Sequence, residues 1–225
     1  MGTQQRGPEV EILQFGRQSL ASNRSPRSAG LKVMPISPLD YRYGRDEAKD
    51  IWSREGRHAR LLEVERALIW AQSKMGRVSP EDYDAIADIS DPGIVTADRV
   101  DELEAETKHD IMALTKAMAE AAGDAGWCIH LGATSNDIVD SAVALQIKDS
   151  IILQRASVSA LVITMCEIAE REKDTVMLGR THGQAAVPIT FGLKVAVWVD
   201  EFCRHLVRLD EAWSRIAVGK FLGAV

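Results

Sequence analysis

A row of apolar residues near the C-terminal end of the sequence constrains the fold more than any other feature. Its members are spaced alternately four and three residues apart over residues 195–216. This spacing places them on one face of an α-helix, and a face of that length packs against other helices. The sequence therefore predicts a helix from about Pro188 to Ala217. The row consists of Val195, Val199, Phe202, Leu206, Leu209, Trp213 and Ile216.

Helical patterns also cover most of the sequence before this row. A second long helix is predicted from Thr134 or Ser135 to about Lys173, with shorter ones over 47–74 and over 96–122, the latter stopping at glycine 123. Ser79-Pro80 predicts another helix start, because serine caps helices and proline fits the first helical position. No segment alternates apolar and polar residues as a strand does. The predicted fold is therefore all-α, a bundle of long helices.

The chain divides into an arm and two helical regions. Residues 1–33 are polar and lack an apolar pattern, so they predict a disordered N-terminal arm. Residues 34–123 predict an N-terminal helical domain, and residues 124–225 predict the start of a central helical-bundle domain. The final residues are small and apolar rather than polar. We therefore expect the bundle domain to be incomplete and the sequence to be part of a longer protein.

Composition narrows the classes of function. The 225 residues carry a net charge of −6 and are 46% hydrophobic. This hydrophobic fraction is enough to form a core, and the net negative charge argues against a nucleic-acid binder, which usually has a basic surface. The three cysteines include no C-x-x-C pair, which favours a reducing cytoplasm over a disulfide framework. No uninterrupted apolar run reaches the roughly 18 residues of a membrane span, and the arm lacks the apolar stretch of a secretory signal.

The segment Arg180-Thr181-His182-Gly183-Gln184 is the strongest candidate for chemistry. Histidine titrates near neutral pH, so His182 is suited to act as a general acid. Arg180 is placed to hold an anionic substrate group or to orient the loop. A histidine in a loop is commonly structural, and the residues alone leave both roles open.

The segment from His130 to Asp137 (His-Leu-Gly-Ala-Thr-Ser-Asn-Asp) precedes the second long helix. Thr134 or Ser135 is placed to cap that helix, and Asp137 completes a pattern close to a capping box. Free N–H groups at a helix start also bind phosphate or carboxylate groups. Both uses fit the segment, and capping is the commoner one.

Two further clusters carry ionisable side chains. Residues 106–110 (Glu-Thr-Lys-His-Asp) fall inside the predicted helix over 96–122. Successive side chains there fan round the helix by about 100°, so a solvated face is the alternative to a site. Arg42 with Tyr43, early in the folded part, fits either a phosphate clamp or a surface turn.

The remaining histidines predict no metal centre. His58 lies in a very polar stretch and His205 beside the apolar row, and we interpret both as structural. No pair of histidines has the H-x-x-x-H spacing of a helical metal site, and the cysteines are scattered. We therefore expect no metal ligands.

Taken in order, these segments resemble the adenylosuccinate lyases of the fumarase/aspartase superfamily, over about residues 36–225. The resemblance implies a homotetramer in which long helices from four chains form a bundle and each active site draws on several subunits. It also implies a β-elimination without a cofactor. Adenylosuccinate gives AMP and fumarate, and the succinylaminoimidazole carboxamide ribotide of purine synthesis gives its amine and fumarate. The matching segments are Tyr41-Arg-Tyr-Gly-Arg45, Thr107-Lys-His-Asp110, His130–Asp137, Gly179-Arg-Thr-His-Gly-Gln184 and Val218-Gly-Lys220.

The resemblance also implies a role for each candidate residue. His182 resembles the general acid that protonates the leaving nitrogen, and His109 resembles a histidine that binds substrate near the reacting centre. The implied partner is a small nucleotide. Arg42 and Tyr43 resemble the nucleotide-binding pair, while Thr134 and Ser135 resemble the hydroxyl pair that holds a substrate carboxylate. The other implied substrate-binding residues are Lys108, Asp110, His130, Arg180 and Thr181.

The sequence departs from the family pattern in two places. The family's base is a serine on a Gly-Ser-Ser-x-Met-Pro loop, and the 225 residues contain no such segment. We therefore expect these residues alone to be inactive. Phe221-Leu222 stands where relatives commonly have a small or polar residue before glycine. The alternatives are another superfamily lyase, of the argininosuccinate lyase or carboxymuconate cycloisomerase type, and a non-catalytic fragment that only oligomerises.

Overall fold

A computed structural model describes residues 43–223 of the chain. The predicted arm, Arg42 and the last two residues lie outside this range. The described part contains seven α-helices, one 3-10 helix and two strands. In chain order these are α1 Asp46–Trp52, α2 Arg54–Lys74, α3 Pro80–Ile89, α4 Ala97–Thr107, α5 Asp110–Ala122, the 3-10 helix Gly123–Cys128, α6 Ser135–Arg171, β1 Val176–Thr181, β2 Gln184–Thr190 and α7 Phe191–Ile216.

The all-α prediction is confirmed, including the two long helices. The predicted start at Ser79 is also correct, because its side chain accepts a hydrogen bond from the Asp82 N–H at 3.0 Å. Pro80 occupies the first turn as expected, and α5 ends at Gly123, which has a positive φ. Helix α7 begins three residues later than predicted, because Pro188 belongs to a strand.

The single helix predicted over 47–74 is wrong, since the chain breaks at Ser53. Ser53 adopts an extended conformation, and its side chain accepts a hydrogen bond from the Gly56 N–H at 2.9 Å. A Cβ at Gly56 would lie 2.1 Å from the Asp50 carbonyl oxygen. The missing side chain therefore lets α1 fold tightly against the start of α2.

The single helix predicted over 96–122 is also wrong, and the break falls inside the cluster at 106–110. Lys108 ends α4 in the left-handed region, with φ 56°. His109 is extended and caps α5, and its Nδ1 accepts a hydrogen bond from the Met112 N–H at 3.3 Å. The cluster therefore lies at a helix–helix junction, where its side chains converge instead of fanning round one helix.

A third correction concerns the strands, which the sequence pattern did not predict. Strands β1 and β2 form an antiparallel hairpin, and Thr181 pairs with Gln184 across a two-residue turn. The two turn residues, His182 and Gly183, have φ of 50° and 76°, the signs of a type I′ hairpin turn. The hairpin lacks an apolar–polar alternation because both of its faces are largely exposed.

The hydrophobic core joins helices α2 to α5 to the first turns of α6. Leu62, Ile86 and Ile138 are fully buried there, on α2, α3 and α6. The remainder of α6 packs against α7, and many of its apolar side chains stay exposed. The predicted domain division at residue 123 stays a prediction. The other fully buried core side chains include Ile69, Ile111, Leu114 and Met118.

Helix α6 is the longest element described. Its 37 residues correspond to about 55 Å at 1.5 Å per residue. Among residues 43–223 it is the one helix long and apolar enough to cross a membrane, with a window of mean hydropathy 1.6 that is 11% buried. It also forms an ion pair between Arg155 and Asp210 of α7 at 2.8 Å. Much of the apolar surface of α6 is therefore not covered by the described residues of its own chain.

Gly192 allows α7 to approach the end of α6, and we expect Gly192→Ala to lower stability. A Cβ there would lie 2.4 Å from the Ala169 carbonyl oxygen and 2.6 Å from Lys173 Cα. Overpacking of this kind costs about 1–3 kcal/mol, measurable by thermal unfolding followed by circular dichroism. Gly219→Ala is the matched control, because none of the described residues has an atom within 4 Å of its added Cβ. Equal melting of the two variants would contradict this reading of the junction.

Candidate active site

The first part of the site forms where the α4–α5 junction meets the start of α6. His109 Nε2 lies 3.5 Å from Ser135 Oγ. Because His109 Nδ1 accepts the Met112 N–H, the neutral ring carries its proton on Nε2, the atom that faces Ser135. His109 and Ser135, predicted from separate segments, are therefore neighbours at one helix N-terminus.

Asp110 is held by a residue that the sequence reasoning did not select. Arg57 of α2 donates a hydrogen bond from Nη2 to Asp110 Oδ2 at 3.0 Å. Burial would raise the pKa of Asp110, but the hydrogen bonds from Arg57 and from the Ile111 N–H outweigh it, so the pKa is lowered. The carboxylate stays ionised and fixes the start of α5, which carries His109 at its cap.

Lys108 folds back on the helix that precedes it. Its Nζ donates to the Ala105 carbonyl oxygen at 2.5 Å, and the side chain is exposed. The left-handed backbone at this residue lets the chain turn between α4 and α5. Lys108 therefore lies at the rim of the junction, close in sequence to His109 and free of any ion pair among the residues described.

His130 is paired with a buried carboxylate. Its Nδ1 lies 2.6 Å from Oε1 of Glu65, a residue of α2 that is fully buried. The hydrogen bond that His130 donates to Glu65 outweighs burial and raises the pKa of His130. His130 has φ 60° and a side chain that is 21% exposed. The sequence reasoning selected His130 and missed Glu65, which appeared only as one more acid on an amphipathic helix.

Asp137 joins the start of α6 to the last described residues of the chain. Its Oδ2 accepts the Thr134 N–H at 3.1 Å, and its Oδ1 accepts the Leu222 N–H at 3.0 Å. These hydrogen bonds, with Leu222 the stronger contributor, lower the pKa of Asp137. Lys220 adds an ion pair to Asp140 at 3.0 Å. The capping reading of this segment is therefore correct for Asp137, and Thr134 is the cap residue of α6.

The second part of the site is the hairpin turn that carries His182. Arg180, Thr181 and His182 are all exposed, and Arg180 pairs with Ala185 across the hairpin. A Cβ at Gly179 would lie 2.4 Å from the Val187 carbonyl oxygen, so glycine is needed where the strands are irregular. The turn presents His182 at its tip, without a partner among the residues described.

The two parts lie at opposite ends of α6. The hairpin is tied to the end of α6 by hydrogen bonds from the Phe191 N–H to the Thr175 carbonyl oxygen and from the Gly192 N–H to the Glu172 carbonyl oxygen. A strand of six residues spans about 20 Å. Even a hairpin folded back along the 55 Å helix would leave His182 at least about 30 Å from Ser135. One copy of the chain therefore does not bring His182 and His109 together.

Tyr43 lies at a third place along α6. Arg45, two residues after Tyr43, donates from Nη1 to Ser157 Oγ at 2.9 Å. Ser157 lies 22 residues after Ser135, or about 33 Å along α6. Tyr43 is 61% exposed. Its predicted partner Arg42 lies outside the described residues, so the nucleotide-binding role of this pair stays a prediction.

Backbone strain marks three of the predicted residues. Within residues 43–223, the non-glycine residues with positive φ are Lys108, His130 and His182. Such conformations are unfavourable for residues with a side chain, and they are enriched at functional sites. By contrast, His58 is buried and its Nε2 lies 2.6 Å from the Val95 carbonyl oxygen, as expected of a structural histidine.

Comparison with known proteins agrees with this architecture. Residues 40–225 match the family described as Lyase. The chain belongs to this family. It is 45% identical over 192 residues to the adenylosuccinate lyase of Pyrococcus abyssi, covering 85% of this chain and 43% of that protein. It is 37% identical over 196 residues to the N-acetyl-S-(2-succino)cysteine lyase of Enterococcus italicus, and this match covers 87% of this chain and 43% of that protein.

A solved structure confirms the fold. The fumarate lyase from Mesorhizobium sp. BNC1 superposes with a TM-score of 0.74 at 34% identity, over 81% of this chain and 44% of that one. The architecture is thus the long-helix bundle of the fumarase/aspartase type. The chain spans less than half the length of the lyases it matches.

Asp137→Asn should lower the unfolding temperature at pH 7, because an amide offers one acceptor where the carboxylate offers two. The pKa of Asp137 is depressed, so its contribution is present above the unfolded-state pKa near 4 and is lost as pH falls through the folded-state pKa. The gap between variant and parent should therefore narrow below about pH 4. Asp140→Asn, in the exposed pair with Lys220, is the control and should change little. If the difference in unfolding temperature between Asp137→Asn and the parent did not change with pH, the ionised form of Asp137 would not be what stabilises this contact.

Proposed function

We propose that the protein is an adenylosuccinate lyase of purine nucleotide biosynthesis. It eliminates fumarate from adenylosuccinate to give AMP, and from the succinylaminoimidazole carboxamide ribotide to give its amine. The observation that carries the proposal is the 45% identity to an adenylosuccinate lyase over 85% of the chain, a stretch that includes every described candidate residue. We place the reaction in the cytoplasm, without a cofactor, nucleic acid or membrane as partner.

The site residues suit this elimination. A base removes a weakly acidic proton beside a carboxylate, and the electron-rich intermediate is stabilised by donors that are already in position. The start of α6 offers N–H groups, Thr134 and Ser135 for a substrate carboxylate. His130, Lys108 and the protonated Nε2 of His109 add cationic or donor groups at the same end of the helix.

His182 acts in the proposal as the general acid that protonates the departing nitrogen. Its exposed place at a strained hairpin tip supports this role, because the ring is free to meet a ligand that approaches from outside its own chain. Arg180 and Thr181, on the same strand, bind the anionic part of the substrate. The base is the serine of the family's Gly-Ser-Ser-x-Met-Pro loop, a segment that these 225 residues do not contain.

The separation of the site's parts along α6 supports an active site shared between copies. The acid at one end and the carboxylate-binding residues at the other meet only if a neighbouring chain runs antiparallel beside the first. The long helices carry apolar side chains suited to that contact, including Ile163 on α6 and Trp198 and Val207 on α7, which are 55%, 43% and 57% exposed. We therefore propose a homotetramer whose central bundle is made of these helices.

A second lyase activity is the nearest alternative. The 37% identity to an N-acetyl-S-(2-succino)cysteine lyase shows that related chains carry other names, and argininosuccinate lyase or carboxymuconate cycloisomerase types belong to the same alternative. The second alternative is a non-catalytic fragment that only oligomerises. Lys108 and the pair Arg42–Tyr43 favour a nucleotide substrate over these.

The 225-residue chain alone should release no fumarate from adenylosuccinate, because no serine loop is present to take the proton. Co-expression with the C-terminal part of a related adenylosuccinate lyase should restore release, followed by absorbance. Argininosuccinate is the control substrate and should not turn over. Activity of the chain alone would overturn the assignment of the base. A soluble co-purifying mixture that stays inactive would favour the non-catalytic alternative.

In any active form, His182→Ala should lower kcat by about 10²–10⁴, the usual effect of losing a general acid. His109→Ala should also be severely impaired. Mixing the two inactive variants under conditions that exchange subunits should restore activity, because some sites then combine an intact His182 with an intact His109 from another chain. Failure of well-exchanged mixtures to recover activity would contradict a site shared between copies.

A further inference from the structure

We propose that Glu65 is a positioning residue of the active site, which fixes the orientation and tautomer of the His130 ring. The inference rests on the proposed function in that it takes His130 as a substrate-binding residue. Glu65 belongs to none of the segments that carry the resemblance. It is assigned here from its burial, its contact and the polar groups around it.

The burial of Glu65 is the first observation. Glu65 is 0% exposed on α2, whose neighbouring core residues Leu62 and Ile69 are also 0% exposed. Its Oε2 has no hydrogen-bond partner within residues 43–223, although the atom is buried. A carboxylate in such surroundings is costly, and an apolar residue of similar size is commonly neutral or stabilising in its place. Stability alone therefore does not account for Glu65.

The contact with His130 is the second observation. Glu65 Oε1 lies 2.6 Å from His130 Nδ1, a short distance typical of a charge-assisted hydrogen bond. Since the carboxylate can only accept, Nδ1 carries the proton whether the ring is neutral or charged. His130 Nε2 has no protein partner among the described residues, and the ring is partly exposed. The pair thus directs Nε2 towards a ligand.

A second polar residue of α2 supports the same loop. Gln72 lies seven residues, or two helical turns, after Glu65, so both side chains project from one face. Gln72 is buried and its Nε2 donates to the Leu131 carbonyl oxygen at 3.1 Å. Two buried polar groups therefore hold successive residues of a loop in which His130 has φ 60° and Gly132 has φ 73°. The same loop leads directly to Thr134 and Ser135.

The charge environment agrees with this role. The charged groups that act on His130 are Glu65 from α2 and Asp137 from α6, and both raise the pKa of the imidazole. The hydrogen bond that the ring donates to Glu65 is the largest cause of the raised pKa. A raised pKa favours the cationic ring, which suits the binding of an anionic group of the substrate, and the Glu65 carboxylate keeps the ring in one orientation.

The unmodified chain gives the first test. Long-range ¹H–¹⁵N correlation spectra resolve the ring nitrogens of its five histidines, and His130 is identified by the signal lost in His130→Gln. We expect neutral His130 to carry its proton on Nδ1, whereas a histidine side chain free in water favours the tautomer protonated on Nε2. A neutral His130 protonated on Nε2 would overturn the proposal. This measurement needs no change at Glu65, so it holds even where a core variant folds poorly.

The second test replaces the carboxylate. Glu65→Gln should lower the titration midpoint of His130, because the adjacent negative charge that favours the protonated ring is removed. Glu63→Gln is the matched control, because Glu63 lies on the same helix and pairs with Arg60 instead. Circular dichroism checks that both variants fold. An unchanged His130 midpoint in folded Glu65→Gln would refute the pairing.

Activity separates this proposal from the proposed function. In a form that turns over adenylosuccinate, Glu65→Gln should lower kcat/KM by about 10- to 100-fold, as for loss of a hydrogen bond to a charged group, and should shift the alkaline limb of its pH profile downwards. Glu63→Gln should keep the parent profile. A wild-type profile for Glu65→Gln would contradict the positioning role. If no lyase substrate turns over at all, the proposed function fails while the two spectroscopic tests still decide the role of Glu65.

Discussion

The length of α6 is the constraint on which the rest of the molecule depends. Its first turns complete the hydrophobic core of α2 to α5, and its other end carries the hairpin with His182. Between them lie about 55 Å of helix, packed in this chain against α7 and otherwise largely exposed. A rigid element of this kind keeps the two parts of the candidate site far apart within one copy. The shared site that we propose would form where copies associate along the apolar face of α6.

At the start of α6, hydrogen bonds that stabilise the fold also orient the candidate site residues. Asp137 caps the helix and also binds the Leu222 N–H, so the returning chain is pinned beside Thr134. Arg57 and Glu65, on one helix, hold Asp110 and His130. The side chains that would meet a substrate are thus oriented by buried or half-buried partners on α2, which is itself fixed by the core.

The sequence predicts the long helices well, because residues that pack on one helix face must recur every three or four positions, as they do from Val195 to Ile216. Helix prediction fails at the two breaks, because Ser53 and Lys108 lie within continuous helical patterns. The side chains that cap the new helices there, Ser53 and His109, do not interrupt those patterns. Strand prediction fails at the hairpin because exposed strands need no alternation. Glu65 and Arg57 were not identified as site residues, since an acid or a base on an amphipathic helix gives no signal until the fold shows which partner it meets.

The most direct test of the shared site is a distance measurement by pulsed electron–electron double resonance. Spin labels at Met112→Cys and Gln184→Cys, with Cys166 and Cys203 replaced by serine, report on the ends of α6 that carry His109 and His182. When doubly labelled chains are diluted with unlabelled protein, we expect one distance between the two labels of a chain, of at least about 30 Å. Undiluted labelled protein should show, in addition, a shorter distance between labels on neighbouring chains. A short distance that persists on dilution, or one absent from the undiluted oligomer, would contradict the account.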